Sequence, residues 1–408
     1  MTNAGLLPLA GVTVVSIEQA VAAPLATRHL ADLGARVIKV EHPGGGDFAR
    51  AYDTAVHGLA SHFVWLNRSK ESVALNLKTA PGMAVLHQLI AGADVVLQNL
   101  APGAARRLGL DADTLRERHP RLIVVDMSGY GSDGPYRDHR AYDMLVQAET
   151  GLISITGTPD APAKTGVPSA DIAAGLYAFS GVMAALFRRE RTGEGASIAV
   201  SMFDSLVEWM GHPMYMAMYA GRQLPRSGLS HPAIAPYDAY PTRDGQVLIG
   251  VQNDRGWRQL VTEVFRRPEL VTHPDYLSNV ARCANRAALD ALVAAETSRF
   301  DTAELTAALL AAGVPAGQVN DVQGMVEHPQ LSERDRWRQV GTEHGPVRAV
   351  LPPITFDDVT ARMDAVPALG EHTATVLAEL GYRADQVRDM QTTGAIAMSE
   401  RSDVGVQQ

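Results

Sequence analysis

The chain has 408 residues and a formal net charge of −9, with 46% hydrophobic and 20% charged residues. This length is enough for two domains, and the composition is typical of a globular chain with a substantial core. The negative charge, with no basic stripe along the chain, argues against nucleic acid as a partner. The single cysteine, Cys283, excludes a disulfide framework and a cysteine-based zinc site. With no signal peptide and no unbroken run of about 20 apolar residues, we expect a cytoplasmic protein without membrane spans.

Strands and helices alternate through the first half of the chain. Helical spacing predicts helices over residues 25–35 and 83–93. Apolar, β-branched runs predict strands at residues 12–17, 36–41, 72–77, 94–100, 121–128 and 196–202. This alternation indicates an α/β fold with a parallel, doubly wound sheet, whose ligands bind beyond the carboxyl ends of the strands. The predicted ligand-binding loops therefore follow Ile17, Glu41, Gln98 and Ser128.

One carboxylate, Asp171, stands at the start of a long apolar helix in the stretch GVPSADIAAGLYAFSGVMAAL, which begins at Gly166. An ionised aspartate among apolar neighbours needs either partners or a chemical function. Aspartate is also a typical helix N-cap. Gly175, one turn later, is predicted to leave room for a bulky ligand beside the backbone.

The pattern changes after about residue 225. A hairpin with Asp244 and Gly245 at its turn is followed by helices at 254–265 and 284–300. A third helix opens at Asp301 with Glu304 three residues later, the arrangement of a capping box. The predicted domains are a large domain with the parallel sheet (N-terminal part, 1–205), a linker (206–224), a small α+β domain (225–325), a return linker and C-terminal part of the large domain (326–388), and a disordered tail (389–408).

Two alternative kinds of site have weak signals. Gly129, Gly131 and Gly134 match G-x-G-x-x-G after a strand, and Glu41 ends the second strand where NAD-binding proteins carry an acidic ribose ligand. A dinucleotide site would open directly into an apolar helix, whereas Pro135 and polar residues follow here. The histidines lack the compact spacing of metal ligands. We therefore predict no metal site and no permanently bound cofactor.

Cations and amide donors cluster in the loops expected at the ligand-binding edge of the sheet. Arginine suits phosphate because its guanidinium donates two parallel hydrogen bonds. The candidate phosphate ligands are the NRSK segment at 67–70, Lys78, Asn99, Arg106 and Arg107. Any one of these residues is also compatible with an ordinary solvated surface, and their clustering is what favours a phosphate-bearing ligand.

Several motifs in order resemble the class III CoA-transferase family, which includes formyl-CoA transferase, carnitine CoA-transferase and α-methylacyl-CoA racemase. The motifs run from about residue 9 to about residue 380 and include LADLGARVIKVEHPGGGD, NRSKESVALNLKT, QNLAPGAARRLGL, SGYGSDGP, RTGEGASIAVSMFDS and ALGEHTATVL. The resemblance implies a Rossmann-like large domain, a smaller domain and an interlocked homodimer. It also implies that Asp171 is the nucleophile and that coenzyme A or acyl-CoA is a substrate rather than a cofactor.

The resemblance further implies a CoA site and an acyl-group class. The positions carried over for CoA are Ala20, Val21, Ala22, His42, Lys78, Asn99, Leu100, Ala101, Arg107, Arg140 and Met202. Tyr142 and Asp143 match an aromatic–acidic pair on the substrate side. Val21 and His42 replace a glutamine and an arginine of formyl-CoA transferase, and its tetraglycine loop is missing near 226–245, which disfavours formyl-CoA and oxalate as substrates.

The acyl acids expected are short and dicarboxylic. The segment RSGLSHPAIAPYDAYPT, which begins at Arg226, resembles the branch that handles succinate, itaconate, mesaconate or malate. Arg226 and Arg255 are candidate partners for a second carboxylate. The predicted activity is an acyl-CoA:carboxylate CoA-transferase that works through an aspartyl anhydride and an aspartyl–CoA thioester. An aspartate of ordinary pKa, near 3.9, would be ionised at neutral pH and would need no general base.

The alternative activity is that of an α-methylacyl-CoA racemase. Racemisation at Cα needs two acid/base groups on opposite faces of the substrate. The racemase branch has a histidine before the aspartate of a GHD motif, and this chain has Tyr142 before Asp143. His139 lies three residues away, out of register. A phenol with a pKa near 10 is a poor proton acceptor at neutral pH, so the sequence favours the transferase.

Overall fold

The computed structural model describes residues 6–399, and this part of the chain falls into two compact units. The first unit contains the residues up to 151, residues 165–212 and the residues from 335 onward. The second contains residues 152–164 and 213–334. These boundaries differ from those predicted. Residues 152–164 belong to the second unit, and the predicted linker at 206–224 consists largely of helix.

The strands form three sheets, of seven, three and two strands. Their bounds are β1 Thr13–Ile17, β2 Arg36–Glu41, β3 Lys70–Leu75, β4 Val95–Gln98, β5 Ile123–Ser128, β6 Ala196–Ser201, β7 Tyr237–Pro241, β8 Gln246–Gly250, β9 Ala316–Gly317, β10 Trp337–Val340, β11 Val347–Val350 and β12 Ile396–Ala397.

The helices cover both units. Their bounds are α1 Ala22–Asp32, α2 Ser61–Leu66, α3 Ala80–Ala91, α4 Ala104–Arg107, α5 Ala112–Arg118, α6 Asp143–Glu149, α7 Leu152–Ile155, α8 Ser169–Thr192, α9 Met202–Trp209, α10 Gly211–Ala220, α11 Asp254–Gln259, α12 Asn279–Ala284, α13 Arg286–Thr297, α14 Thr302–Ala311, α15 Val322–Val326, α16 Pro329–Ser332, α17 Thr373–Glu379 and α18 Ala384–Thr392. Short 3-10 turns at Phe48–Ala51 and Pro268–Val271 and a π turn at Leu260–Val264 complete them.

The seven-stranded sheet of the first unit has the order β12-β3-β2-β1-β4-β5-β6. All neighbouring strands are parallel except β12, which pairs antiparallel with β3. The predicted parallel sheet is therefore confirmed, and its order from β3 to β6 is that of dinucleotide-binding folds. Strands β1, β2 and β3 follow one another toward one edge of the sheet, and strands β4, β5 and β6 follow one another toward the other edge. The loops after β1 and β4 therefore flank the switch point, where ligands bind.

Both faces of this sheet are covered, which is why its strands are nearly continuous apolar runs. One core joins Val14, Val37 and Val95 to the buried faces of α1 and α8. The other joins Val15, Val96 and Val124 to α3, α5, α17 and α18.

Helix α8 has the length and composition of a membrane span, with a mean hydropathy of 1.6 over its most apolar 18-residue window. It packs instead against α1 and the sheet of the first unit, as the core helix of an α/β fold does. It is the one such helix among residues 6–399.

The close packing of α1 and α8 depends on Gly175. A Cβ atom at this position would lie 2.7 Å from the carbonyl oxygen of Ala22 and 3.0 Å from Leu25 Cδ2. The prediction that Gly175 makes room for a ligand is therefore wrong, because α1 fills that space.

We expect Gly175→Ala to lower stability by roughly 1–3 kcal/mol, because the backbone of α1 would have to move. Urea unfolding would measure the change. Gly211→Ala on α10 is the control, because a Cβ there meets no atom within 4 Å, and alanine is the better helix former. Equal loss in both variants would contradict the packing argument.

The second unit has its own core around Trp257, Leu260 and Leu289. The predicted hairpin is confirmed, with β7 and β8 antiparallel around the turn at Asp244 and Gly245. The predicted capping box at Asp301 is wrong. The Asp301 carboxylate accepts a hydrogen bond from Arg243 Nε (2.8 Å), and the Asp244 carboxylate instead accepts from the Thr302 backbone N–H (2.7 Å). The hairpin turn thus supplies the cap of α14.

The predicted disordered tail at 389–408 is contradicted for residues 389–399. Met390 in α18 and Ile396 in β12 are buried in the core of the first unit, and Ile396 pairs with Leu75. These few apolar side chains supply enough burial to order a segment that looks polar by composition. Residues 400–408 lie outside the described part of the chain.

Candidate active site

Every predicted CoA ligand lies after a strand of the parallel sheet. Ala20, Val21 and Ala22 follow β1; His42 follows β2; Lys78 follows β3; Asn99, Leu100, Ala101 and Arg107 follow β4; Arg140 follows β5; and Met202 follows β6. The carboxyl ends of parallel strands share one edge, so these loops lie along the same edge of the sheet. β3 and β6 are five strand spacings apart, or about 24 Å. Only an extended ligand could contact residues at both ends of this row.

The turn after β1 is held from two sides. The Gln19 N–H donates to Asn99 Oδ1 (2.9 Å), and Asn99 Nδ2 donates to the Gln19 carbonyl oxygen (2.9 Å). On the other side, the Ala20 N–H donates to Asp47 Oδ1 (3.0 Å). Ala20 has a φ of +64°, which is unusual for a residue with a Cβ. The side-chain amide of Asn99 therefore fixes the turn across the switch point, a role that the sequence did not indicate.

Helix α1 begins directly after this turn. Among the described residues no side chain caps it, and its first turn contains no acidic residue. The N–H groups of Ala22 and Ala23 have no partner within the helix, whereas Pro24 has no N–H, and the positive end of the helix dipole lies at this turn. Both features favour an anion here. A helix start at the switch point of a doubly wound sheet is where such folds bind pyrophosphate.

Three of the predicted CoA ligands at this edge are exposed cations. His42, Lys78, Arg107 and Arg140 all have solvent-accessible side chains, and Arg107 is the last residue of α4. Met202 differs, because it is half-buried and packs against the core beside α8. Lys78, Arg107 and Arg140 thus supply cations, and His42 an imidazole, at positions that can meet the phosphates of a ligand.

Arg68 and Lys70 of the predicted NRSK segment are instead buried. They pair with Asp32 and Glu18, respectively, so the prediction that they bind phosphate is wrong.

Asp171 lies in the first turn of α8, whose N-cap is Pro168. Asp171 is therefore not the cap of its own helix. Asp143, at the start of α6, takes that role from outside, because its Oδ1 accepts from the N–H groups of Ala170 (2.8 Å) and Asp171 (3.4 Å). Gln147 holds Asp143 by donating to its Oδ2 (2.6 Å). The predicted substrate-side residue Asp143 thus fixes the helix start that carries Asp171.

Burial, together with the like charge of Asp143, raises the pKa of Asp171 to about 7. The ordinary pKa expected from the sequence is therefore wrong. Both influences disfavour the carboxylate because it is removed from water and faces another anion. A raised pKa at a reactive carboxyl is typical of functional sites, since a more basic carboxylate is also a stronger nucleophile once ionised.

The start of α8 lies against the turn after β1. Ile172, next to Asp171, packs on a small apolar cluster that contains Val21, Leu25 and Leu66, and Ala20 packs on the same cluster. The start of α8 that carries Asp171 and the clamped turn are therefore neighbours, within the first unit.

Tyr52 is a site residue that no sequence motif indicated. Burial raises the pKa of its phenol to about 12, with further contributions from Asp47, Asp171 and Tyr142. The Tyr52 phenol therefore interacts electrostatically with Asp171 and with the predicted substrate-side residue Tyr142. Tyr52 follows the 3-10 turn Phe48–Ala51, a segment without a regular pattern, so only the folded chain shows its position.

The NAD-like features have other roles. The Glu41 carboxylate is buried, accepts two hydrogen bonds from Arg50 and one from Ser72, and has its pKa lowered to about 2 despite burial, chiefly by Arg50. After Gly129, Gly131 and Gly134 the next helix begins only at Asp143. His139, the histidine considered for the racemase alternative, is exposed and stacks on Tyr136, with ring centroids 4.5 Å apart. Glu41 is thus a structural residue rather than a ribose ligand.

Known proteins resemble the chain over nearly its whole length. The model of CoA-transferase family III matches residues 9–373. The chain is 36% identical to the succinate–glutarate CoA-transferase of Agrobacterium fabrum, covering 91% of this chain and 96% of the relative. It is 37% identical to the acetyl-CoA:oxalate CoA-transferase of Acetobacter aceti, covering 80% and 85%. The crystal structure of a CAIB/BAIF family protein from Brucella suis matches with a TM-score of 0.80 and 36% identity, covering 91% and 99%.

Proposed function

The chain belongs to CoA-transferase family III and is a CoA-transferase, and on that premise we propose that it moves CoA between an acyl-CoA and a short dicarboxylic acid through covalent adducts of Asp171. The observation that carries this proposal is the position of Asp171. Its half-buried carboxyl lies at the start of α8, beside the clamped turn at the switch point of the sheet.

The proposed reaction begins when the ionised Asp171 carboxylate attacks the thioester carbonyl of the donor acyl-CoA. The C–S bond breaks, which gives a mixed aspartyl anhydride and CoA thiolate. The thiolate then attacks the aspartyl carbonyl, which forms an aspartyl–CoA thioester and releases the donor acid as its carboxylate. The acceptor carboxylate reverses these steps with its own acyl group. Activated acyl groups are exchanged at every step, so no ATP is consumed.

The enzyme must keep CoA in place through both halves of this reaction, since the thiolate leaves and attacks again. We propose that the pyrophosphate lies at the uncapped start of α1 and that the loops after β2, β3, β4 and β5 contact the rest of the molecule. The supporting observations are the free N–H groups of α1 and the exposed cations along one sheet edge. Ala20 to Ala22, Leu100 and Ala101 would then contact CoA mainly through their backbones.

Arg107→Ala tests this site. We expect the Kd of CoA to rise roughly ten- to hundredfold, because a charge-assisted phosphate contact is worth about 1.5–3 kcal/mol. Calorimetric titration with CoA would measure the change. Arg118→Ala, at the end of α5 and before β5, is the matched control, because it removes an exposed arginine from the opposite edge of the sheet. Equal affinity in wild type and Arg107→Ala would show that Arg107 does not bind CoA.

The substrate class rests on the relatives. Both relatives act by name on a dicarboxylic acid, succinate and glutarate in one and oxalate in the other. The second name also keeps oxalate among the acids to test, although the missing glycine loop disfavours it. Arg226 already donates to the backbone carbonyls of Thr158 (3.0 Å) and Pro159 (2.9 Å). The side chain of Arg255 on α11 is exposed.

A matrix of donors against acceptors tests the proposal. Succinyl-CoA and acetyl-CoA would be combined with glutarate, oxalate, itaconate, mesaconate, malate and acetate, and the new thioester identified by mass spectrometry. We expect a dicarboxylic acceptor to exceed acetate at least tenfold in kcat/KM. No preference for a second carboxylate would overturn the substrate class, and deuterium exchange at Cα without any acceptor acid would favour the racemase.

We also propose an interlocked homodimer in the cytoplasm. A single chain leaves large apolar side chains of the first unit in solvent, including Leu176, Tyr177 and Phe187 on α8, and Phe187 is 62% exposed. Exposed apolar patches of this kind are typical of protein interfaces.

An interlocked pair would bury well over about 2,000 Å², so its folded monomer would be scarcely populated. We expect mass photometry at nanomolar concentration to give one species of twice 43.6 kDa. A folded, active monomer at that dilution would exclude the interlocked arrangement while leaving the fold intact.

A further inference from the structure

Four charged side chains lie buried beneath the turn after β1. Glu18, Lys39, Asp47 and Lys70 have no exposed side-chain surface. Lys70 Nζ lies 2.7 Å from Glu18 Oε1, Lys39 Nζ lies 2.8 Å from Asp47 Oδ2, and Lys39 Nζ lies 3.4 Å from Glu18 Oε1. The two cations and two anions therefore form one continuous, neutral chain of ion pairs, which we name the charge network.

The members of the charge network are held firmly. Lys70 Nζ also donates to the Pro24 carbonyl and to Asn67 Oδ1, each at 3.0 Å, and Thr27 Oγ1 donates to Glu18 Oε2 (2.6 Å). Burial alone would raise the pKa of Glu18, but Lys70 and Lys39 hold it below its ordinary value. Because each charge is paired and hydrogen-bonded, the network can exist in the dry interior, whereas removal of one member leaves an uncompensated buried charge.

Asp47 connects this network to the active site. Its Oδ2 pairs with Lys39, while its Oδ1 accepts from the N–H groups of Ala20 (3.0 Å) and Ala49 (2.9 Å). Ala20 belongs to the turn beside Asp171. Ala49 belongs to the 3-10 turn that leads to Tyr52, whose phenol interacts electrostatically with Asp171. One carboxylate oxygen thus fixes two walls of the candidate site.

We propose that Asp47 is a positioning residue for CoA, fixed in place by Lys39, Glu18 and Lys70, and that it acts by holding the turn at Ala20 and the segment before Tyr52. This inference rests on the proposed CoA site. Asp47 holds Ala20 in its left-handed backbone conformation, which directs the turn so that the first amides of α1 face the ligand. Without this carboxylate the turn is free to relax, and the amides no longer meet the phosphates together.

Asp47→Ala tests the inference, with Asp32→Ala as the matched control. Asp32 is also buried and paired, with Arg68 (2.7 Å) and Arg28 (3.4 Å), but it lies at the far end of α1. Both variants are expected to lower the Tm, because each strands buried cations. Only Asp47→Ala is expected to weaken CoA binding, with a Kd at least tenfold higher by calorimetry, while Asp32→Ala stays within about twofold of wild type.

The outcomes separate this inference from the proposed function. If wild type does not bind CoA, the proposed function fails and the inference with it. If wild type and Asp47→Ala bind CoA equally, or if Asp32→Ala loses as much affinity, only the positioning role is overturned. If Asp47→Ala does not fold, the variant Glu18→Gln tests the positioning role instead. It keeps the side-chain shape but removes one charge of the network, so we expect a Kd for CoA at least threefold higher, and an unchanged Kd overturns the proposal.

Discussion

Asp171→Ala is expected to lower the rate of CoA transfer at least a thousandfold, while CoA still binds and the fold persists. Loss of a nucleophile commonly costs several orders of magnitude in kcat. The Asp171 side chain does not cap its own helix, because Asp143 holds the helix start through the backbone. Steady-state kinetics and calorimetric titration with CoA on the same preparation would test both parts of this expectation.

Chemical trapping gives an independent check of the same residue. Wild type incubated with acyl-CoA should form an adduct that hydroxylamine or borohydride converts to a modified Asp171, which peptide mass spectrometry would locate. If Asp171→Ala kept more than about a thousandth of wild-type activity, covalent catalysis at this residue would be excluded.

The first half-reaction is expected to lose activity in acid much earlier than an ordinary aspartate would allow. The pKa of Asp171 is raised to about 7, and only the ionised carboxylate can attack a thioester. Below that pH, kcat/KM for the acyl-CoA should fall about tenfold per pH unit, because this parameter follows the free enzyme. Rates measured from pH 5 to 9 would test this, and a flat profile down to pH 5 would contradict the raised pKa.

Asp143→Asn is the matched variant for this pH dependence. It removes the second cause of the pKa shift but leaves burial, so the midpoint of the pH–rate profile should move to lower pH without reaching the value of an ordinary aspartate.

The pH dependence of stability gives a second measurement of the raised pKa. The Asp171 carboxyl ionises near pH 4 in the unfolded chain and near pH 7 in the folded chain. The free energy of unfolding should therefore fall as the pH rises from about 4 to about 7. Asp171→Asn should therefore gain more in Tm over wild type at pH 8 than at pH 5.

The parallel sheet could be predicted from sequence because buried strands are continuous apolar runs, and β2 was located to the residue. The loops of the site followed from the same rule, since ligands bind beyond the carboxyl ends of parallel strands. Asp171 could be singled out because a lone carboxylate among apolar residues is unusual. These three inferences use local information only.

Several of the errors involve partners distant in sequence. Asp301 was expected to cap α14, but Asp244, brought near by the hairpin, supplies the cap. Gly175 was assigned to a ligand, although its space is filled by α1. The pKa of Asp171 is raised first by burial in the folded chain and then by Asp143, which lies 28 residues earlier. The positions of Tyr52 and of the Asn99 side chain could not be predicted for the same reason, because the spacing of residues within a segment does not show which segments come into contact in the fold.

The antiparallel pairing of β12 with β3 has a consequence for synthesis of the protein. Ile396 and Ala397 complete a sheet whose other strands lie between residues 13 and 201. A nascent chain therefore cannot finish this sheet until residues 396–397 have left the ribosome, although the hairpin and helices at 213–334 are by then available to fold. Until then the edge of β3 is an unpaired template for other strands. Premature termination just before residue 396 should consequently give aggregates during translation rather than a shortened enzyme.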